Sequence, residues 1–162
     1  MFTPLSTVEG VAIWAAEVPR PINTKGQRMS LSDPGWVEST SRTIEADPEF
    51  SLDARQAVFN FLLEAGDHRY VVGVDRGHIA VTANPTAADS WDFAVRGTED
   101  AWRRYIDKDP DAEYRDVFGM WLQGPMSVTG EIRTHVVFEG DYRKLFANLQ
   151  PLYVYLSKLQ TN

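Results

Sequence analysis

The stretch His68-Arg-Tyr-Val-Val-Gly-Val-Asp-Arg-Gly-His-Ile-Ala-Val-Thr-Ala83 decides the fold class. Tyr70, Val72 and Val74 alternate with more polar positions, which is the period of a half-buried strand. Asp75-Arg76-Gly77 then reads as a turn, with Gly77 suited to positive φ, and His78–Ala83 as the returning strand. Working upstream, Ala65-Gly66-Asp67 is a second turn. Before it, Ala54–Leu63 reads as a strand in which Phe59, Phe61 and Leu63 alternate with Val58, Asn60 and Leu62. Working downstream, Pro85 breaks the chain and Ala87-Ala88-Asp89 leads into Ser90–Arg96, where Trp91, Phe93 and Val95 alternate. The section from Ala54 to Arg96 therefore predicts an antiparallel meander of four strands.

Helical signals flank this meander. Ser32-Asp33-Pro34 joins an N-cap candidate to a proline in the first turn. Trp36, Val37, Thr40 and Ile44 follow at helical spacing, and Asp47-Pro48 is expected to end that helix. After the meander, Thr98 caps a helix with Glu99 and Asp100 in its first turn and an apolar face of Trp102, Tyr105 and Ile106. Asp109-Pro110-Asp111 restarts the chain into a helix with Tyr114, Val117, Phe118 and Trp121 on one face, stopped by Gly124-Pro125. Met126–Gly130 reads as a short strand, and Thr134–Phe138 fits a strand or a helix. Beyond it, Phe138, Tyr142, Leu145, Leu149, Leu152, Leu156 and Leu159 recur at helical spacing, with Pro151 predicting a break near Gln150. The e and g positions of that run are not systematically charged, so a terminal helix packed on the sheet is preferred to a coiled coil.

Residues 1–33 read differently. Pro4, Pro19, Pro21, Gly10 and Gly26 punctuate them, so they are expected to form an extension that packs on the domain through Val11, Ile13, Trp14 and Val18, or else a partly ordered tail, with 34–162 as the domain proper.

At 162 residues and 43% hydrophobic content the chain is sized for one domain with a real core. With no cysteine, disulfides, thiolate metal sites and a cysteine nucleophile are excluded. A net charge of -7 argues against nucleic acid and against electrostatic docking to anionic membranes. The early apolar run Val11–Ala16 is too short for a signal or membrane segment, so a cytoplasmic location without stable membrane insertion is expected.

Reactive-group spacing is sparse. His68, His78 and His135 form no metal-binding pattern, so no metal site is expected. There is no Gly-x-Ser-x-Gly elbow and no phosphate-cradling glycine loop, so no cofactor is expected. Arg103-Arg104 and Arg143-Lys144 read as solvated basic pairs. The aromatic set is richer: Trp91, Phe93, Trp102, Tyr105 and Tyr114, then Phe118, Met120, Trp121, Phe146 and Tyr153, fall in elements that could line one shared space. Aromatic-lined concavities suit apolar ligands, and buried Trp and Tyr need hydrogen-bond partners that a ligand's polar group could supply.

The order of elements resembles the sterol carrier protein-2 domain. Three motifs carry the resemblance, over roughly residues 35–160. They are the hairpin Tyr70–Ile79 with its Asp-x-Gly turn, Trp91–Arg96 followed by Glu99–Arg103, and Gly124-Pro-Met-Ser-Val-Thr-Gly-Glu131. The N-terminal extension, Pro125 where the family commonly has a basic residue, the acidic linker Asp107–Glu113 and Pro151 depart from it. The resemblance implies an α+β fold with a mixed, mainly antiparallel five-stranded sheet covered by helices. It also implies an apolar tunnel between sheet and helices for a lipid, sterol or acyl-type ligand. The residues expected to line it are Trp91, Phe93, Trp102, Tyr105, Phe118, Met120, Trp121, Phe146, Leu149 and Tyr153. Two other readings stay open. One is an enzyme on this scaffold using Asp75, His78, Glu131 and His135 for acid–base chemistry; the other is an interaction module that forms a homodimer through the C-terminal apolar stripe.

Overall fold

A computed structural model describes residues 30–122 and 135–161. Residues 1–29 of the extension expected over 1–33, the strand expected at Met126–Gly130 and the helix stop at Gly124-Pro125 lie outside the described residues.

The first helix, α1 (Pro34–Glu45), starts as its sequence predicts: the Asp33 carboxylate accepts from the Gly35 N–H, and Pro34 occupies the first turn. It buries Trp36, Val37, Thr40, Ser41 and Ile44. Asp47-Pro48 does more than stop this helix. The Asp47 carboxylate accepts from the Glu49 and Phe50 N–H groups and opens a second helix, α2 (Pro48–Ala54). The same dipeptide that breaks one helix caps the next, so the strand expected from Ala54 begins only at Val58, in β1 (Val58–Ala65).

β2 (His68–Asp75) and β3 (His78–Ala83) follow within the predicted bounds. Arg76 and Gly77 both take positive φ between them, at 50° and 91°. The fourth strand, β4 (Phe93–Gly97), corrects the meander. Instead of lying beside β3 it runs parallel to β1, with Phe61 opposite Phe93 and Leu63 opposite Val95. The sheet order is β3-β2-β1-β4-β5, where β5 is Val136–Gly140 and pairs antiparallel with β4. The sheet is thus mixed and mainly antiparallel, and the ambiguous stretch around Thr134–Phe138 contributes its fifth strand.

The joint between β1 and β4 rests on Asp92. Its N–H donates to the Asn60 carbonyl at 2.8 Å, and its carboxylate accepts from the Asn60 N–H at 2.8 Å and from Lys144 Nζ at 2.9 Å. At the other side of β4, Gly140 has φ 111°. A Cβ there would stand 2.8 Å from the Asp92 carbonyl oxygen and 2.9 Å from Phe93 Cα, so the strands close only over a glycine.

α3 (Glu99–Ile106) is capped by the Thr98 hydroxyl, which accepts from the Ala101 N–H at 3.1 Å. The helix expected after Asp111 divides into a 3₁₀ turn (Ala112–Tyr114) and α4 (Val117–Leu122). The C-terminal stripe also divides. Phe138 belongs to β5, and α5 (Tyr142–Ala147) and α6 (Leu149–Thr161) meet at Asn148, whose N–H returns to the Lys144 and Leu145 carbonyls. Gly140 ends the strand, and Asp141, accepting from the Lys144 N–H at 3.1 Å, starts the helix. Pro151 sits in the first turn of α6, where its missing N–H removes no internal helical bond.

One sheet face carries Phe59, Phe61 and Leu63 of β1, Val72 and Val74 of β2, Phe93 and Val95 of β4 and Phe138 of β5. These form a single apolar cluster with the buried faces of the helices. Each such side chain removed from water contributes about 1.5–3 kcal/mol. Trp91, expected beside Phe93, departs from this alternation. It precedes the strand and packs with Leu62, Val71 and Ala94 on the opposite face. There an ion-pair ladder crosses four strands: Arg69 to Glu64 at 3.0 Å, Glu64 to Arg96 at 2.6 Å and Arg96 to Glu139 at 3.0 Å. The Arg96 guanidinium also covers the Trp91 ring at 5.7 Å. At the outer edge, the Ile79 N–H of β3 donates to Glu45 Oε2 at 2.7 Å, so the end of α1 occupies a backbone donor of an edge strand.

Candidate ligand site

The sequence-predicted residues fall into four groups. The first is core. Phe93 stacks on Phe59 at 5.7 Å and on Phe61 at 6.0 Å, and Phe61 meets the ring edge of Tyr155 at 5.5 Å. Trp102 is buried and donates from Nε1 to the Glu64 carbonyl at 2.8 Å, with Tyr105 edge-on at 5.5 Å. Gly97 makes room for that indole, since a Cβ there would lie 2.7 Å from Trp102 Nε1. The Tyr105 hydroxyl donates to the Leu156 carbonyl at 2.7 Å, and burial pushes its ionisation well above the ordinary tyrosine range. Met120 is fully buried with them.

The second group forms the candidate site. Phe118 of α4 lies between Phe138 of β5 and Tyr153 of α6, with ring centroids 5.9 Å and 5.6 Å away and planes inclined by 23° and 20°. Trp121 meets Phe138 edge-on at 5.6 Å. Phe138 is 4% exposed, whereas Trp121 and Tyr153 are 37% and 36% exposed. Four rings from three elements thus run from the buried core to the surface. Such offset and edge-on contacts each contribute about 0.5–1.5 kcal/mol beyond area. The Tyr142 hydroxyl donates to the Phe138 carbonyl at 2.9 Å, tying α5 to the same strand.

The third group, Phe146 and Leu149, sits at the α5–α6 junction, with Phe146 60% exposed. Trp91 stands alone on the opposite sheet face. The structure therefore joins Phe118, Trp121 and Tyr153 but does not unite all ten residues around one space. Sequence reasoning missed the role of Phe138, because its spacing to Tyr142 and Leu145 is helical. The competing signal was the pair Val136 and Phe138, which alternate as a strand does.

The acid–base set does not converge among the described residues. Asp75 and His78 face one another at the β2–β3 hairpin end, with 70% and 84% of their side chains exposed. His135 lies toward the opposite edge of the sheet, 3.5 Å from both the Tyr114 hydroxyl and a Glu113 carboxylate oxygen. The Arg104 guanidinium lies over the Tyr114 ring, 5.5 Å from its centroid. Glu131 lies outside the described residues. Among the described residues, no group of three or more His, Asp or Glu could hold a metal ion, and no helix is long and apolar enough to cross a membrane.

Five strands in this order, with the helices joined to one face and an aromatic ladder at its margin, define an α+β domain of the sterol carrier protein-2 fold. The structure of a sterol carrier protein 2 superposes with a TM-score of 0.56 at 11% identity, covering 78% of this chain and 94% of that one. A conserved hypothetical protein from Thermus thermophilus, described as possibly a sterol carrier protein, superposes with a TM-score of 0.55 at 13% identity, covering 82% and 90%. No protein-family model and no curated protein sequence matches the chain.

Proposed function

We propose that this chain binds and carries a hydrophobic small molecule, of lipid, sterol or acyl type, between its helical layer and the inner face of its sheet. The observation that carries the reading is the ladder Phe138–Phe118–Tyr153 with Trp121, which leads from the core to partly exposed aromatic faces. An apolar solute entering there would exchange water for aromatic surface at both ends of its path. The likeness to a protein named as a sterol carrier supports the same reading. The C-terminal stripe supports a carrier acting as a single chain: Leu145, Leu152, Leu156 and Leu159 are buried in the chain's own core and are not available as a seam for a second copy. Such a carrier would work in the cytoplasm, between sites of lipid release and use, without a metal, a cofactor or nucleic acid.

Native mass spectrometry of the purified protein, followed by solvent extraction, tests the reading. A co-purifying apolar molecule is expected. Binding of 1-anilinonaphthalene-8-sulfonate should weaken severalfold in Phe118→Ala, and the extracted molecule should displace the dye from the wild-type protein. A protein that extracts clean and leaves the dye's fluorescence unchanged would sink the proposal.

A further inference from the structure

Most of the large buried side chains that carry a hydrogen-bonding group are paired. The Tyr70 hydroxyl donates to the Leu31 carbonyl, Tyr105 to the Leu156 carbonyl, Trp102 Nε1 to the Glu64 carbonyl, and Tyr155 shares a hydrogen bond with Ser41 at 2.9 Å. Trp36 is fully buried, and its Nε1 alone among the buried side-chain polar atoms of the described residues meets no acceptor. An indole N–H held out of water without a partner is costly, and proteins seldom keep one without a use for it.

Its surroundings narrow the chemistry. Thr40 and Ser41 are the only buried polar residues among those described, and both lie on the same inner face of α1 as Trp36. Hydroxyls of small side chains therefore stand on the same helix face as the unpaired indole, and the Ser41 hydroxyl is shared with Tyr155. Among the described residues no charged side chain is buried there, so nothing would neutralise a buried carboxylate or phosphate. The acceptor that fits is neutral.

We propose that Trp36 is the polar anchor of the bound molecule, its Nε1–H donating to a hydroxyl or carbonyl oxygen of an otherwise apolar ligand. The inference rests on the carrier reading above and adds to it the ligand's polar group and its partner. It also sets a length. α1 packs over β3, whereas the aromatic ladder stands at β5. Four strand spacings separate these, about 19 Å, which a long-chain alcohol or ester spans and a short one does not.

The test uses the full chain and three probes of equal length delivered on cyclodextrin: hexadecan-1-ol, palmitate and hexadecane. The indole ¹⁵N–¹H resonance of Trp36 is identified by its loss in Trp36→Phe. Hexadecan-1-ol is expected to move this resonance downfield and hexadecane to leave it in place. Trp36→Phe should weaken hexadecan-1-ol binding about three- to tenfold, the worth of one neutral hydrogen bond, with hexadecane unaffected. Palmitate should bind less tightly than the alcohol at neutral pH. Alcohol binding that leaves the resonance unmoved, or equal weakening of alcohol and alkane, overturns the anchor while the carrier reading stands. Should Trp36→Phe not fold, side-chain assignment in the wild-type protein still decides by the resonance. Binding of none of the three overturns the carrier reading and the anchor together.

Discussion

Gly140→Ala is the sharpest perturbation of the fold. The residue has φ 111°, a conformation that costs an L-amino acid about 1–3 kcal/mol. The new Cβ would then lie 2.8 Å from the Asp92 carbonyl oxygen and 2.9 Å from Phe93 Cα. Both are backbone atoms, so relief requires β5 to move away from β4, and overpacking of this kind costs about 1–3 kcal/mol more. The same Asp92 carbonyl accepts from the Asp141 N–H at 2.8 Å, so the shift also loosens the start of α5. The sum, roughly 2–6 kcal/mol, is a large part of an ordinary domain's stability and corresponds to a fall in Tm of roughly 4–24 °C at this size. Two glycines calibrate it. Gly66→Ala has φ 60° but its nearest contact is 3.4 Å away, so only the conformational cost of about 1–2 kcal/mol applies. Gly73→Ala meets only the Asn60 side-chain oxygen at 2.8 Å, which can rotate aside, so it should stay within about 1 kcal/mol of wild type. Urea unfolding followed by circular dichroism ranks the three. If Gly140→Ala were no less stable than Gly66→Ala, the close approach of β4 and β5 would not be what requires the glycine.

Burial pushes the Tyr155 hydroxyl up to about 12 from 10.0, with its Ser41 hydrogen bond opposing. The raised group is neutral in the fold, so stability is full below pH 10 and is lost as pH rises from there to about 12, by about 2–3 kcal/mol at most. Tyr155→Phe should lessen that alkaline decline in urea midpoints, the rest falling to Tyr70 and Tyr105, which burial also raises; an unchanged decline would assign all of it elsewhere. Asp92→Ala removes the acceptor of both Asn60 N–H and Lys144 and should cost about 1–2 kcal/mol. Asp92→Asn, keeping the first bond and losing the half-exposed ion pair, should cost under about 1 kcal/mol; equal losses on thermal melting would contradict this division. Pro151→Ala should lower stability by only about 0.4–1 kcal/mol, through a freer unfolded chain. A gain in stability would mean that the proline distorts α6.

The sheet was legible in its parts and not in its order. Alternation at Phe59, Phe61 and Leu63, at Tyr70, Val72 and Val74, and at Phe93 and Val95 reports which face each strand buries. It carries no information on which strand lies beside which. The pairing of β4 with β1 is written instead in Asp92, whose carboxylate reaches back to the Asn60 N–H, a contact with no local signature. The caps at Asp33 and Thr98 were readable because they act within three residues. Asp47 was half read, since one Asx-Pro pair both ends and begins a helix. The candidate site was readable only in part: Phe118 and Tyr153 become neighbours when α4, docked on β5, meets α6, which neither segment announces. Trp36 was legible as a core residue, but its lack of an acceptor appears only in three dimensions.

The central position of β1 has a consequence for how the chain assembles. β1 forms its first ladder with β2 across a two-residue turn, but its other edge waits for β4, 32 residues further on at the Asn60–Asp92 contact. β4 in turn waits for β5, with Arg96 and Glu139 43 residues apart. At ordinary rates of synthesis the first interval alone lasts about 2–6 s. During it a strand bearing Phe59, Phe61 and Leu63 stands with one row of backbone donors and acceptors open beside a finished hairpin. The hairpin is quick, and docking of the parallel strand is the slow, long-range event. The vulnerable surface of the nascent protein is therefore a strand that ends up at the middle of the finished sheet.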